Sequence, residues 1–165
     1  MQTITFRLAD SLPRDAYESL LSSSDTNDEL YKRLERLIDR GRGTCILSDP
    51  QIAEIVTEAL CHFDGERYRL LAWVIMPNHV HVMVEQIEGF SLRRVMHSWK
   101  SFTAKEINKV RNSTGTVWAP DYYDRFVRNA DHYENAISYI EWNPVKAALV
   151  GRPEEWTHSS ARHRK

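Results

Sequence analysis

The run YRLLAWVIMPNHVHVMVEQI, Tyr68–Ile87, decides the fold. Two apolar segments rich in strand-forming residues flank Pro77-Asn78, a turn-forming dipeptide, so the stretch predicts a β-hairpin. Side chains alternate across a strand, which sends Val80, Val82 and Val84 to one face and His79, His81 and Met83 to the other. The valine face asks for a hydrophobic core. The histidine face is expected to look away from that core, towards a groove.

Outward from the hairpin, the flanking sequence predicts a strand at QTITFRLA and helical character over 14–40, broken by the polar SSSDTND. SDPQIAEIVTEALCHF is a clear helix: Asp49 can cap it, Pro50 suits its first turn, and Ile52, Ile55, Val56, Ala59 and Leu60 form one stripe. A basic helix follows at SLRRVMHSWKSFTAKEINKV. A short strand is expected late in VWAPDYYDRFVRN, and a last helix at DHYENAISYIEW, stopped by Asn143-Pro144. The order β, helices, β-β, α, β, α implies an α+β fold, with an antiparallel sheet and helices mainly on one face.

The 165 residues, 42% of them hydrophobic and 27% charged, suit one domain over 1–165 with its own core. The longest apolar run, Leu70–Met76, is too short for a membrane span, and the N-terminus lacks a secretion signal, so the cytoplasm is the expected location. Cys45 and Cys61 form no CxxC pair, which argues against a disulfide or a cysteine zinc site. Residues 1–66 carry 13 acidic and 7 basic side chains, whereas 67–165 carry 10 and 15. The basic half fits a polyanion partner or an unevenly charged solvated surface.

Histidines at i and i+2 on a strand lie roughly 7 Å apart at the backbone and can converge on one divalent cation. They can equally be two polar residues on a half-exposed face. A histidine-triad nucleotide hydrolase would need a third alternating histidine where Met83 stands. On the last helix, Tyr133, Ala136, Ile137 and Ile140 form the buried stripe. Tyr139 falls about 110° from its centre, with Asn143 one turn further on. Such a tyrosine either half-buries its ring or, beside the histidines, faces a metal-bound phosphate.

Taken together, MPNHVHVMVE, WKSFTAKEIN, WAPDYYDRFVRN and YIEWNPVKAALV resemble the REP-associated tyrosine transposases, a branch of the single-tyrosine HUH transposases. The resemblance runs from TFRLADSLP to NPVKAALV. It implies a ferredoxin-like fold, His79, His81 and Asn143 as ligands of Mg²⁺ or Mn²⁺, and Tyr139 as the nucleophile. The implied reaction cleaves and rejoins single-stranded DNA near REP-like hairpins through a 5′-phosphotyrosine intermediate, by a monomer or a homodimer. The alternative is a hairpin-binding protein, derived from a transposase, that no longer cuts.

Arg94, His97 and Lys100 on the basic helix are candidate DNA contacts, Lys100 foremost, with Arg125 and Lys146 flanking the tyrosine helix. Trp99 either stacks a base or belongs to the core. Both histidines are expected to be dispensable for folding, because they face away from the valine core.

Overall fold

The computed structural model describes residues 1–22 and 26–164. Its chain order is β1 (Gln2–Arg7), α1 (Arg14–Leu21), α2 (Asn27–Ile38), α3 (Pro50–Cys61), β2 (Tyr68–Ile75), β3 (His79–Gln86), α4 (Leu92–Val110), β4 (Tyr123–Phe126), α5 (Ala130–Glu141) and the one-turn α6 (Asn143–Lys146). The four strands form one antiparallel sheet in the order β2-β3-β1-β4. This is the α+β architecture expected from the sequence.

Strand parity sorts the sheet into two faces. Val80, Val82 and Val84 join Ile4 and Phe6 of β1, and Leu8 just beyond it, beneath Ile52, Val56 and Leu60 of α3 and Met96 and Trp99 of α4. The hairpin register slips by one residue between Leu70 and Ala72. This bulge reverses the parity of β2. Tyr68 and Leu70 therefore pack with the valine face, while Ala72, Val74 and Met76 turn to the histidine face.

The histidine face is covered, not open. Ala136 and Ile140 of α5 pack with Ala72, Val74, Met76 and Met83, and His79 and His81 are only 1% and 2% exposed. On the same face β1 contributes Thr3, Thr5 and Arg7, and β4 contributes Tyr123 and Arg125, through the pairs Thr5–His81, Arg7–His79, Thr5–Tyr123 and Thr3–Arg125. One half of the face is thus apolar and capped by α5, and the other half is polar. The histidines lie on the seam.

The segment 14–40 forms two helices. Thr26 caps α2 by a reciprocal box: its hydroxyl accepts from the Glu29 N–H, and the Glu29 carboxylate accepts from the Thr26 N–H at 2.9 Å. Residues 23–25 of the polar break lie outside the described residues. Leu20 and Leu34 bury themselves with Leu12 in a small separate cluster, with Tyr123 at its margin. Asn143-Pro144 does not end helical structure. Helix α5 stops at Glu141, and α6 begins at once, with Pro144 in its first turn, where a missing N–H is harmless. Cys45 and Cys61 are free thiols. Among the described residues, no helix is long and apolar enough to cross a membrane.

Candidate active site

His79 and His81 project side by side from β3, with their Nε2 atoms 3.1 Å apart. Each ring is held from behind. Asn78 donates through Nδ2 to the Ile38 and Arg42 carbonyls at 2.9 and 3.0 Å, which turns its Oδ1 towards His79 Nδ1 at 2.7 Å. An amide oxygen only accepts, so this network assigns the proton of His79 to Nδ1 and leaves Nε2 with a lone pair. Thr5 Oγ1 sits 2.8 Å from His81 Nδ1, a partner that suits a proton there when Nε2 is a ligand. Asp39, the residue capping the C-terminus of α2, brings Oδ1 to 3.4 Å from His79 Nε2. One donor atom from each of Asp39, His79 and His81 lies within 4.8 Å of the others. Two neutral imidazoles and a carboxylate make a donor set that fits a divalent cation.

Burial sets the charge states. It pushes His79 well below its ordinary value, helped by its neighbour His81, and pushes His81 down to about 3, helped by the Lys146 ammonium. Asp39 is raised to about 6 by burial, against the pull of Lys146. Between pH 6.5 and about 3 the unfolded chain takes up protons that the buried His81 refuses, so stability falls as the pH drops through that window. Asp39 acts oppositely, its contribution being lost as pH rises towards 6. In chelator, wild type should be more stable than a His81→Gln protein at pH 7, and thermal melts should show that margin shrinking towards pH 4. A constant margin would contradict this assignment.

Helix α5 carries Tyr139 to the same seam. Its ring meets the His81 ring edge-on, with centroids 5.7 Å apart. The turn of α6 returns Lys146 to the same ring, with Nζ 4.2 Å from the Tyr139 ring centroid. Asn143, one helical turn after Tyr139, is 2% exposed. Tyr139 also borders a groove of about 290 Å³, lined by Thr3 and Arg125 from the sheet, Lys32 and Glu35 from α2, and His132 and Asn135 from α5. Lys146, grouped with the DNA contacts on sequence grounds, thus belongs to the histidine-tyrosine cluster, while Arg125 faces the groove beside it.

The basic helix α4 divides its cations. Lys100 bonds within the fold: Nζ donates to the Ala119, Pro120 and Asp121 carbonyls at 2.5, 3.1 and 3.1 Å. It ties α4 to the loop before β4, and burial lowers its pKa. Trp99 is a core residue, 2% exposed, donating to the Tyr68 hydroxyl at 2.9 Å. Arg93, Arg94 and His97 are exposed and share a groove of about 650 Å³ with Arg67 and Phe90. Lys100→Met should therefore cost about 2–3 kcal/mol of stability in urea denaturation, and leave the affinity of the folded protein for DNA within about twofold. A large affinity loss at unchanged stability would restore Lys100 as a DNA contact.

Sequence reasoning missed Asp39, Asn78, Thr5 and Lys32. Asn78 lies in the hairpin, where its sequence signal is turn propensity and carries no sign of an orienting role. Thr5 shares a face with His81 by strand parity, but only the pairing register places them opposite one another.

Three comparisons bear on this arrangement. The family model described as "Transposase IS200 like" matches residues 46–143, which hold both histidines, Tyr139 and Asn143. The REP-associated tyrosine transposase of Escherichia coli (strain K12) is 30% identical over 99 residues, 56% of this chain and 54% of that protein. A relative from Haemophilus influenzae is 24% identical over 104 residues, 56% of this chain and 58% of its own length. The chain therefore spans little more than half the length of these curated relatives. The fold is similar to that of a REP-associated tyrosine transposase bound to a REP hairpin, with a TM-score of 0.65 at 18% identity, over 98% of this chain and 76% of the other.

Proposed function

Because the chain belongs to the IS200-like transposase family, we propose that it cleaves and rejoins single-stranded DNA beside a hairpin, with Tyr139 as the nucleophile. The observation that carries this reading is the edge-on approach of Tyr139 to His81 at 5.7 Å, next to the facing imidazole nitrogens of His79 and His81. A phenol on a helix is common. A phenol held edge-on against one of two buried, facing histidines needs a purpose.

In the forward step the Tyr139 hydroxyl oxygen forms a bond to phosphorus and the bond from phosphorus to the 3′ oxygen breaks. The phenolic proton is lost, and the departing oxygen leaves as a free 3′-hydroxyl. Rejoining is the reverse attack by a 3′-hydroxyl, so the phosphotyrosine conserves the bond and no nucleotide cofactor enters. Mg²⁺ or Mn²⁺, which His79, His81 and Asn143 would hold, would neutralise the scissile phosphate and favour the leaving oxygen. Asn78 and Thr5 keep the histidine lone pairs aimed inward. Lys146 sets a positive charge against the tyrosine where the phosphate brings negative charge. Arg125 in the adjoining groove is placed to meet the flanking phosphates, and Arg94 and His97 offer a second basic groove for a hairpin stem.

The test is a hairpin oligonucleotide with single-stranded flanks, incubated with the protein in Mn²⁺ or in chelator. Cleavage that depends on Mn²⁺ supports the reading, whereas binding without cleavage would leave a hairpin-binding protein. Affinity should also fall steeply with salt, because phosphate contacts release counterions. Arg94→Ala should weaken binding and lower the slope of log K against log salt by roughly one contact. An unchanged slope would move the DNA off this groove.

A further inference from the structure

We propose that Asp39 ligates the same cation as His79 and His81, and that this bond docks α2 as one wall of the groove beside Tyr139. The proposal rests on the reading above that a divalent cation occupies the histidine pair. Its starting point is a conflict of lone pairs. Asn78 fixes the proton of His79 on Nδ1, so His79 Nε2 is an acceptor, and Asp39 Oδ1, also an acceptor, lies 3.4 Å away. His81 Nε2 lies 3.1 Å on another side. Two of these three converging atoms have no proton to share, and His81 offers one at most. A cation among them satisfies all three at once.

The way Asp39 is held fits a ligand. Asn78, the residue that orients His79, donates to the Ile38 and Arg42 carbonyls, which bracket Asp39 on both sides in the chain. A single side chain thereby sets the spacing between a histidine of β3 and the end of α2. Asn78 is a positioning residue for both.

Helical spacing then carries the effect to the groove. Lys32, Glu35 and Asp39 stand at i, i+3 and i+7, along one stripe of α2. Lys32 and Glu35 line the groove that contains Tyr139 and Arg125, while Asp39 reaches the histidines. The apolar cluster around Leu34 and the two Asn78 bonds also hold α2. Any opening that withdraws α2 takes one ligand away. By linkage, the cation resists that opening by the same factor by which losing Asp39 weakens the cation.

Two measurements on the full chain test this: calorimetric titration with MnCl₂ alone, and hydrogen–deuterium exchange of the α2 amides with and without Mn²⁺. Asp39→Ala should weaken Mn²⁺ on the order of tenfold or more. Saturating Mn²⁺ should slow exchange in α2 of wild type by a similar factor, and should not do so in Asp39→Ala. If the alanine variant folds poorly, Asp39→Asn keeps the shape, loses the charge and should weaken Mn²⁺ in the same direction. Unchanged Mn²⁺ affinity in either folded variant, or α2 exchange indifferent to Mn²⁺ in wild type, would overturn the proposal. If His79→Ala loses Mn²⁺ while Asp39→Ala retains it, only this proposal falls. Wild type that takes up no Mn²⁺ would overturn the cation reading as well.

Discussion

A Tyr139→Phe protein should bind hairpin DNA with an affinity within about twofold of wild type and yield no cleaved strand. The substitution removes one hydroxyl from a half-buried ring and keeps the packing of that ring against His81 and the Lys146 ammonium, so folding and binding should survive. Phosphorus cannot be attacked by a phenyl ring, so the chemistry should vanish instead of slowing. Side-by-side binding and cleavage assays with end-labelled oligonucleotide decide the matter. Cleavage at wild-type rate by the phenylalanine variant would mean that water or another hydroxyl is the nucleophile.

The second large effect is expected at His79. Its loss should reduce Mn²⁺-dependent cleavage on the order of 10²-fold or more, since the charge set against the scissile phosphate would be misplaced or lost. Stability should not escape. Strand alternation alone suggests that alanine is tolerated, but His79 is 1% exposed and its Nδ1 answers Asn78. Truncation leaves a cavity and a buried amide oxygen without its partner, a cost of roughly 2–4 kcal/mol. Urea melts in chelator should show that loss, and cleavage should be compared at a temperature where the variant is fully folded. A variant as stable as wild type and equally active would remove His79 from the site.

Different parts of the molecule were legible for different reasons. The β2–β3 hairpin could be read because a period of two, a turn dipeptide and an all-valine face agree with one another. Burial of the histidines could not, because alternation divides a strand into faces without saying what lies over each. Helix α5 had its apolar stripe at Ala136 and Ile140, but nothing in its own sequence says that the stripe meets β2 and not the valine core. The bulge at Leu71, which moves Ala72 and Val74 beneath α5, leaves no mark in an apolar run where every residue suits either face.

Asp39 was hidden by distance. Forty residues separate it from His79, and in LIDRGRG it reads as an ordinary acidic residue at a helix end. The Asn78 bonds to the Ile38 and Arg42 carbonyls help bring it to the site. The bonds of Lys100 are hidden for the opposite reason. A lysine on a basic helix looks alike whether its ammonium meets solvent or is enclosed by three carbonyls, since backbone acceptors have no sequence signature.

The central claim is that Tyr139 attacks DNA, and peptide mapping of a trapped covalent complex tests it most directly. Protein incubated with single-stranded, hairpin-bearing oligonucleotide and Mn²⁺ would be digested and the nucleotide-bearing peptide sequenced by mass spectrometry. Of the rival tyrosines, Tyr123 gives its hydroxyl to Asp121 at 2.8 Å, Tyr122 packs against the valine-face core and Tyr133 packs in the α5 cluster. The expected result is a 5′-phosphate on Tyr139, in the peptide containing AISYIEWNPVK, with a free 3′-hydroxyl on the released strand. An adduct on Tyr122, Tyr123 or Tyr133, or cleavage with no adduct at all, would contradict it.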